Sequence, residues 1–313
     1  MKTIGLHDFD KTGFPNLALM KLSNYHKANG YKVEILQDGG EYDKVFGSKV
    51  FTYSPMVVMS DKGTHIDFKA DEVRYGGSGI HYNVDLPDEV EHTCPDYSLY
   101  KTDRSYGFVT RGCFRNCWWC IVREKEGAIK PHATVDEFLR HDKLVLMDNN
   151  ILAHSHGIRQ IEVVAARGVK VDFNQGLDAR LIDNSVARVL SKVKFIKKVR
   201  LACDRFEDME DVRKAVELMR WHNVTPRNYF VYVLVTDDVD DAVERVRFLK
   251  GLNCEAFAQP YIDENGTEPT QLQKDFARWV NYSPIFKSTT WETYEPRKGR
   301  PKGVAKGEQG YTQ

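Results

Sequence analysis

From residue 106 onward the chain repeats one rhythm: a short apolar run, then a longer amphipathic stretch. Strand-like runs begin at Tyr106, Lys143, Val169, Lys198, Tyr229 and Cys254. Helical patterns fill the gaps: Thr134 onward, where Thr-Val-Asp-Glu137 matches a capping box, then Ile151–Arg167, Asp183–Val193, Asp208–His222 and Asp238–Lys250. Strands separated by helices cannot pair as hairpins and must run parallel. Six such units predict a parallel sheet curling toward a barrel, two units short of a closed eightfold one.

A shorter α/β pattern precedes this series. Thr3–Leu6 reads as a strand, and Leu17, Met20, Leu22 and Tyr25 mark a helix stopped by Gly30. Tyr31–Leu36 reads as a second strand, Tyr42–Phe46 as a further βα-type segment and Lys49–Tyr53 as another strand, followed by a loop at Gly76–Gly79. The expected fold class is α/β: a Rossmann-like, doubly wound domain over 1–96, a partial (β/α)6 TIM-type barrel over 97–290, and a basic tail over 291–313. The tail contains Pro296-Arg-Lys-Gly-Arg-Pro-Lys302 and almost nothing apolar, which reads as a solvated terminus.

Composition narrows the class. Lys+Arg and Asp+Glu balance at 45 each, so net charge argues for neither nucleic acid nor membrane. No run of about 18 apolar residues exists, and the N-terminus has no signal-peptide pattern. Six cysteines in 313 residues are too few for a disulfide scaffold, which suggests a reducing, cytoplasmic setting. Cys94, Cys203 and Cys254 are dispersed and read as small buried residues.

The other three cysteines stand together directly after the first strand of the series, in Gly-Cys113-Phe-Arg-Asn-Cys117-Trp-Trp-Cys120. Thiols at this spacing share a metal or cluster, or pair as disulfides. Three thiolates on a cubane would leave one iron open to a substrate, unlike a four-cysteine electron carrier. A structural zinc site is the alternative; it needs a fourth ligand, for which Cys94 or His132 is available. The ends of parallel strands collect polar residues independently of the cysteines: Asp148-Asn149-Asn150, then Asn174-Gln175 through Asp178 and Arg180, then Asp204, then Gln259 and Tyr261.

The Cys-x3-Cys-x2-Cys loop with Trp119 before its last cysteine, placed after the first strand of a βα series, resembles the radical S-adenosylmethionine superfamily. The resemblance covers roughly residues 97–290. It implies a [4Fe–4S] cluster on Cys113, Cys117 and Cys120, with S-adenosylmethionine on the open iron. One electron then cleaves it to methionine and a 5′-deoxyadenosyl radical that abstracts hydrogen. By position in the family, Trp119 is expected near the adenine, and Asp148 and Asn149 near the amino group, although the family's glycine run there is missing. Gln175, Asp178, Arg180 and Asp204 are expected near the ribose and carboxylate. Asp178 with Arg180 equally suits a local ion pair, and Asp204 a helix start. A flavodoxin or ferredoxin donor is implied.

Asp8-Phe-Asp-Lys-Thr-Gly13, followed by Gly30-Tyr-Lys-Val33, is similar to the Asp-x-His-x-x-Gly loop of cobalamin-binding domains, except that Asp10 stands where the cobalt-ligating histidine would be. Cobalamin, and with it methyl transfer, is thus a secondary expectation. Two others are a nucleic-acid substrate, suggested by the basic tail and the run Lys192–Arg200, and a non-catalytic iron–sulfur or zinc protein.

Overall fold

The computed structural model describes residues 2–296 except 83 and 264. They form two compact units, divided between Asp103 and Arg104. The boundary falls later than 96 because the segment after Cys94 is tied into the first unit. Asp96 accepts from Ser23 Oγ and Lys27 Nζ, each at 2.6 Å, and the Tyr100 hydroxyl donates to Asp8.

The first unit is a four-stranded sheet of β1 (Thr3–Asp8), β2 (Lys32–Ile35), β3 (Gly40–Ser48) and β4 (Phe68–Gly76). The order is β2-β1-β3-β4 and every neighbouring pair is parallel. Helix α1 (Leu17–Ala28) joins β1 to β2 and covers one face, where Leu19 and Leu22 pack on Ile4 and Leu6 with Val90 of the short α2 (Asp88–Glu91). Gly30, at φ 81°, lets the chain leave that helix and start β2.

The other face carries no helix among the described residues, so the sheet is wound on one side rather than both. Leu36, Tyr42, Val45 and Ile66 close that face. The link from β2 to β3 is too short for a helix and crosses over Gly5, where a Cβ would stand 2.7 Å from Leu36 Cδ1. Two local expectations fail here. Tyr42–Phe46 lies inside β3, and Lys49–Tyr53 is irregular, because the N–H groups of Val50 and Phe51 bond Asp10 instead of a neighbouring strand.

The second unit opens with β5 (Ser105–Gly107). A two-residue antiparallel clip follows, β6 (Thr110–Arg111) with β7 (Lys130–Pro131), and α3 (Val122–Glu126) lies between its strands. Next come α4 (Val135–Phe138), β8 (Lys143–Leu146), α5 (Ser155–Ala166), β9 (Lys170–Phe173), α6 (Asn184–Leu190) and β10 (Lys194–Phe195). The unit continues with β11 (Lys198–Ala202), α7 (Asp208–Trp221), β12 (Asn228–Val235), α8 (Val239–Gly251), β13 (Glu255–Pro260), α9 (Gln271–Asn281) and α10 (Ser283–Ser288).

All six strands read from the sequence are present. With the two-residue β10 as a seventh, they run parallel and keep chain order, but in two sheets, β5-β8-β9-β10 and β11-β12-β13. Between the sheets, Leu177 bridges to Leu201, and Arg200 forms a two-pronged ion pair with Asp172 at 2.7 and 2.8 Å. No barrel closes. Leu144, Leu146, Val171, Leu201, Val231 and Val233 belong to one large core with the helices.

The capping box expected at Thr134 does not form. Its helix is a single turn, and the Thr134 side chain makes no capping bond. A complete box appears instead at Thr270 and Gln273, opening α9. The first residues of the tail expected from 291 are packed: Trp291 packs on Phe276 and Trp279, with ring centroids 5.2 and 5.8 Å apart, and Tyr294 stacks on Trp291. The rest of the expected tail, from 297, lies outside the described residues.

Candidate functional site

The cysteine loop leaves the carboxyl end of β5 and is fastened at both ends. Asp148, just beyond β8, is buried and accepts from Val109 N (3.1 Å), Thr110 N (2.5 Å) and Thr110 Oγ1 (2.6 Å), all through Oδ1. Glu126, at the end of α3, accepts from Gly112 N at 2.9 Å and Asn149 Nδ2 at 2.7 Å, and pairs with Arg111 at 3.4 Å. Gly112 is needed where it stands: φ is 82°, and a Cβ would lie 2.4 Å from Ala128 O.

Within the loop Cys113 is buried, Cys117 half-buried and Cys120 exposed; all are free thiols. Cys113 Sγ accepts from Arg115 N at 3.4 Å and from Asn150 Nδ2 at 3.6 Å. Burial pushes the Cys117 thiol up, and the neighbouring Cys120 and Cys113 add to this. Burial also raises Cys120, with Cys113 adding to the shift. Among the described residues, no three His, Cys, Asp or Glu side chains are gathered tightly enough for one metal ion.

The loops after β9 and β11 close in on the cysteine loop. Asp178 Oδ2 accepts from Arg115 Nε (3.0 Å) and Asn150 Nδ2 (3.2 Å), and Oδ1 from Arg180 Nε (2.7 Å). Burial opposes ionisation of Asp178, but Arg180 and Arg115 outweigh it and hold the carboxyl below its usual range. Arg205 pairs with Asp208, which Arg180 also approaches at 3.6 Å. Arg115, Cys117, Trp118, Trp119, Arg180 and Arg205 line a cleft of about 270 Å³ with Asn116. Trp119 meets Trp118 edge-on at 5.4 Å, and Trp118 meets Tyr261 at 5.3 Å.

Of the residues expected at this site, the cleft lining includes Cys117, Trp119 and Arg180. Asp148, Asn149 and Asp178 anchor the loop network. Gln175 is exposed on the turn after β9 and does not line the cleft. Asp204 does not start a helix; it accepts from Leu234 N of β12 at 3.1 Å, and burial pushes its carboxyl up to about 6. Arg180 is committed through Nε to its near neighbour Asp178, the local pairing the sequence allowed. Arg115, Glu126, Asn150 and Arg205 are additions. Asn150 stood in a polar run at a strand end, whereas Glu126 carried no signal of its own.

Two buried acceptors beside this loop lack a donor: Asp148 Oδ2 and Asn150 Oδ1. Burial pushes the Asp148 carboxyl up to about 6, against the pull of its Thr110 hydrogen bonds. Unsatisfied buried oxygens are uncommon and costly.

In the first unit, Asp10 is occupied. Its carboxylate accepts from Val50 N at 2.6 Å and Phe51 N at 3.1 Å, while Asp8 accepts from Asp10 N at 3.1 Å. His7 is buried against Phe9, its Nε2 without a partner. Burial first, and Lys11 second, lower its pKa to about 4.

The basic run Lys192–Arg200 follows α6 in the chain. It holds β10 and the start of β11, with Lys198 paired to Glu255 and Arg200 to Asp172. No family model matches the chain, and no curated protein is found similar to it. No helix among the described residues is long and apolar enough to cross a membrane.

Proposed function

We propose that the second unit is a radical S-adenosylmethionine enzyme, with Cys113, Cys117 and Cys120 holding a [4Fe–4S] cluster. The observation that carries this reading is positional. Three thiols sit on the loop after β5, the first of seven parallel strands in chain order, and the loops after β8, β9 and β11 bond to that loop or line its cleft. In this reading the two sheets are an open, partial barrel, with the cysteine loop at its carboxyl-end mouth, and the first unit is a Rossmann-like accessory.

The residues suit such a cluster. Soft thiols are the required donors, and two N–H groups already point at Cys113 Sγ. Asp148 Oδ2 and Asn150 Oδ1 offer buried acceptors to a donor-bearing group such as an ammonium. Trp119 offers a ring face for a base, and Arg115, Arg180 and Arg205 give the cleft a cationic lining for a carboxylate. When bound, the cluster would supply the electron that cleaves S-adenosylmethionine. The protein's part is to hold the sulfonium compound by its amino, carboxylate and adenine groups. A flavodoxin or ferredoxin would deliver the electron.

Anaerobic reconstitution tests this. About four irons and four sulfides per chain are expected, and dithionite with S-adenosylmethionine should release 5′-deoxyadenosine without added substrate. One zinc per chain, or a full cluster with no cleavage product, would overturn the proposal. Cobalamin has less support, since Asp10 replaces the ligating histidine and its carboxylate is bonded to backbone.

A further inference from the structure

We infer that Asn150 is a positioning residue that acts on Cys113: its amide, oriented by Asp178, hydrogen-bonds the Cys113 sulfur and sets how readily that sulfur carries added electron density. The inference rests on the proposal that Cys113 ligates a cluster.

Four residues form a closed ring. Asn150 Nδ2 lies 3.6 Å from Cys113 Sγ and 3.2 Å from Asp178 Oδ2, so its two hydrogens serve one acceptor each. Asp178 Oδ2 also accepts Arg115 Nε, and the Arg115 backbone N–H returns to Cys113 Sγ. The ring fixes the amide's orientation. With oxygen and nitrogen exchanged, Asn150 would set its carbonyl against a carboxylate and leave the sulfur with one donor. Asn150 is only 4% exposed, so water does not substitute for either bond.

A thiolate bound to iron shares the electron density that reduction adds. An N–H aimed at that sulfur stabilises the reduced form more than the oxidised one and raises the potential. Asp178 therefore works through Asn150 and Arg115 on the sulfur, a different task from contacting the cosubstrate.

The test compares the full-length wild type with Asn150→Ala and Asn150→Asp. Each is reconstituted anaerobically, checked for fold by far-UV circular dichroism and for iron content, and titrated potentiometrically with electron paramagnetic resonance detection. Both variants are expected to keep the cluster and to become harder to reduce. A tenfold change in the reduction equilibrium is expected for Asn150→Ala, about 59 mV for a one-electron couple, and more for Asn150→Asp, which puts a carboxylate beside the sulfur. Should either variant take up no iron, Asn150→Leu, a neutral residue of similar size with no donor, is expected to shift the potential the same way as Asn150→Ala. Unchanged midpoints in iron-loaded variants would overturn the inference while leaving the cluster reading intact. A wild type without iron would instead sink the cluster reading, and this inference with it.

Discussion

Each unit places a polar loop after its first strand, at the carboxyl end of a parallel sheet, and the two loops end in opposite states. In the first unit, Asp8 and Asp10 spend their carboxylates on Asp10 N, Val50 N, Phe51 N and the Tyr100 hydroxyl. Among the described residues of that unit, the buried side-chain atoms without a partner are ring nitrogens, His7 Nε2 and His26 Nδ1, packed beside aromatic neighbours. In the second unit the loop after β8, which bonds the cysteine loop, holds Asp148 and Asn150; each satisfies one end of its side chain and buries the other oxygen with no donor. A loop that completes its own hydrogen bonds has little to offer a ligand. A loop that leaves charged or amide oxygens buried and unmet is built around something else.

The largest effect that would break this contrast is on iron. Cys117→Ala should abolish iron uptake on reconstitution, while the far-UV spectrum of the metal-free protein stays that of the wild type. Cys117 is half-buried and free, and its side chain supports no core contact. Retention of about four irons per chain would remove the second loop's claim to be the ligand site.

Acid titration should next separate the units by sign. His7 has a pKa depressed from 6.5 to about 4, so between those values the unfolded chain takes a proton that the native one refuses. Stability from this group is therefore lost as pH falls, by up to about 3 kcal/mol. Asp148 runs the other way. Its carboxyl is raised from 3.8 to about 6, so the native state keeps a proton that the unfolded state releases. Its contribution is present below 3.8 and lost as pH rises through 6, again by up to about 3 kcal/mol. All five tryptophans lie in the second unit, so denaturant melts followed by fluorescence report on that unit alone. Relative to wild type, Asp148→Asn should gain stability as pH rises from 4 to 6, read by fluorescence. His7→Leu should gain it as pH falls over the same range, read by circular dichroism. Parallel slopes in the two variants would erase the distinction.

The strands were legible because their buried residues are mostly apolar and recur at successive or alternate positions between polar or glycine punctuation; Val231, Val233 and Val235 are all buried within one such stretch. Periodicity could not reveal β4, Phe68–Gly76, because its residues alternate between intermediate and exposed and include Lys69, Asp71, Glu72 and Arg74. Lys49–Tyr53 misled for the reverse reason: its apolar residues are exposed, and a carboxylate far away in sequence captures its backbone. At the site, the cysteine spacing and the polar strand ends were visible. The wiring among them was not. That Asp178 serves Asn150 and Arg115, and that Glu126 ties Gly112 to Asn149, are facts of tertiary contact between residues tens of positions apart.

The smallest effect tests whether the first loop is as self-contained as its hydrogen bonds imply. Asp10→Ala removes the acceptor for Val50 N and Phe51 N but leaves those groups near the surface, where water replaces the lost carboxylate. The cost should therefore be about 1–2 kcal/mol, below that of a buried charge-assisted pair. It should appear in the circular dichroism melt. Iron per chain and the tryptophan-detected transition should stay at their wild-type values, because the Asp10 carboxylate is committed to Val50 N and Phe51 N within its own unit. Iron lost together with the first unit's stability would mean that the loop's bonds serve the cluster-bearing unit, and that the two loops are not independent designs. Asp10→Asn sharpens the result. It keeps one acceptor oxygen and should recover roughly half of the loss if hydrogen bonding, rather than charge, is what holds the Lys49–Tyr53 segment in place.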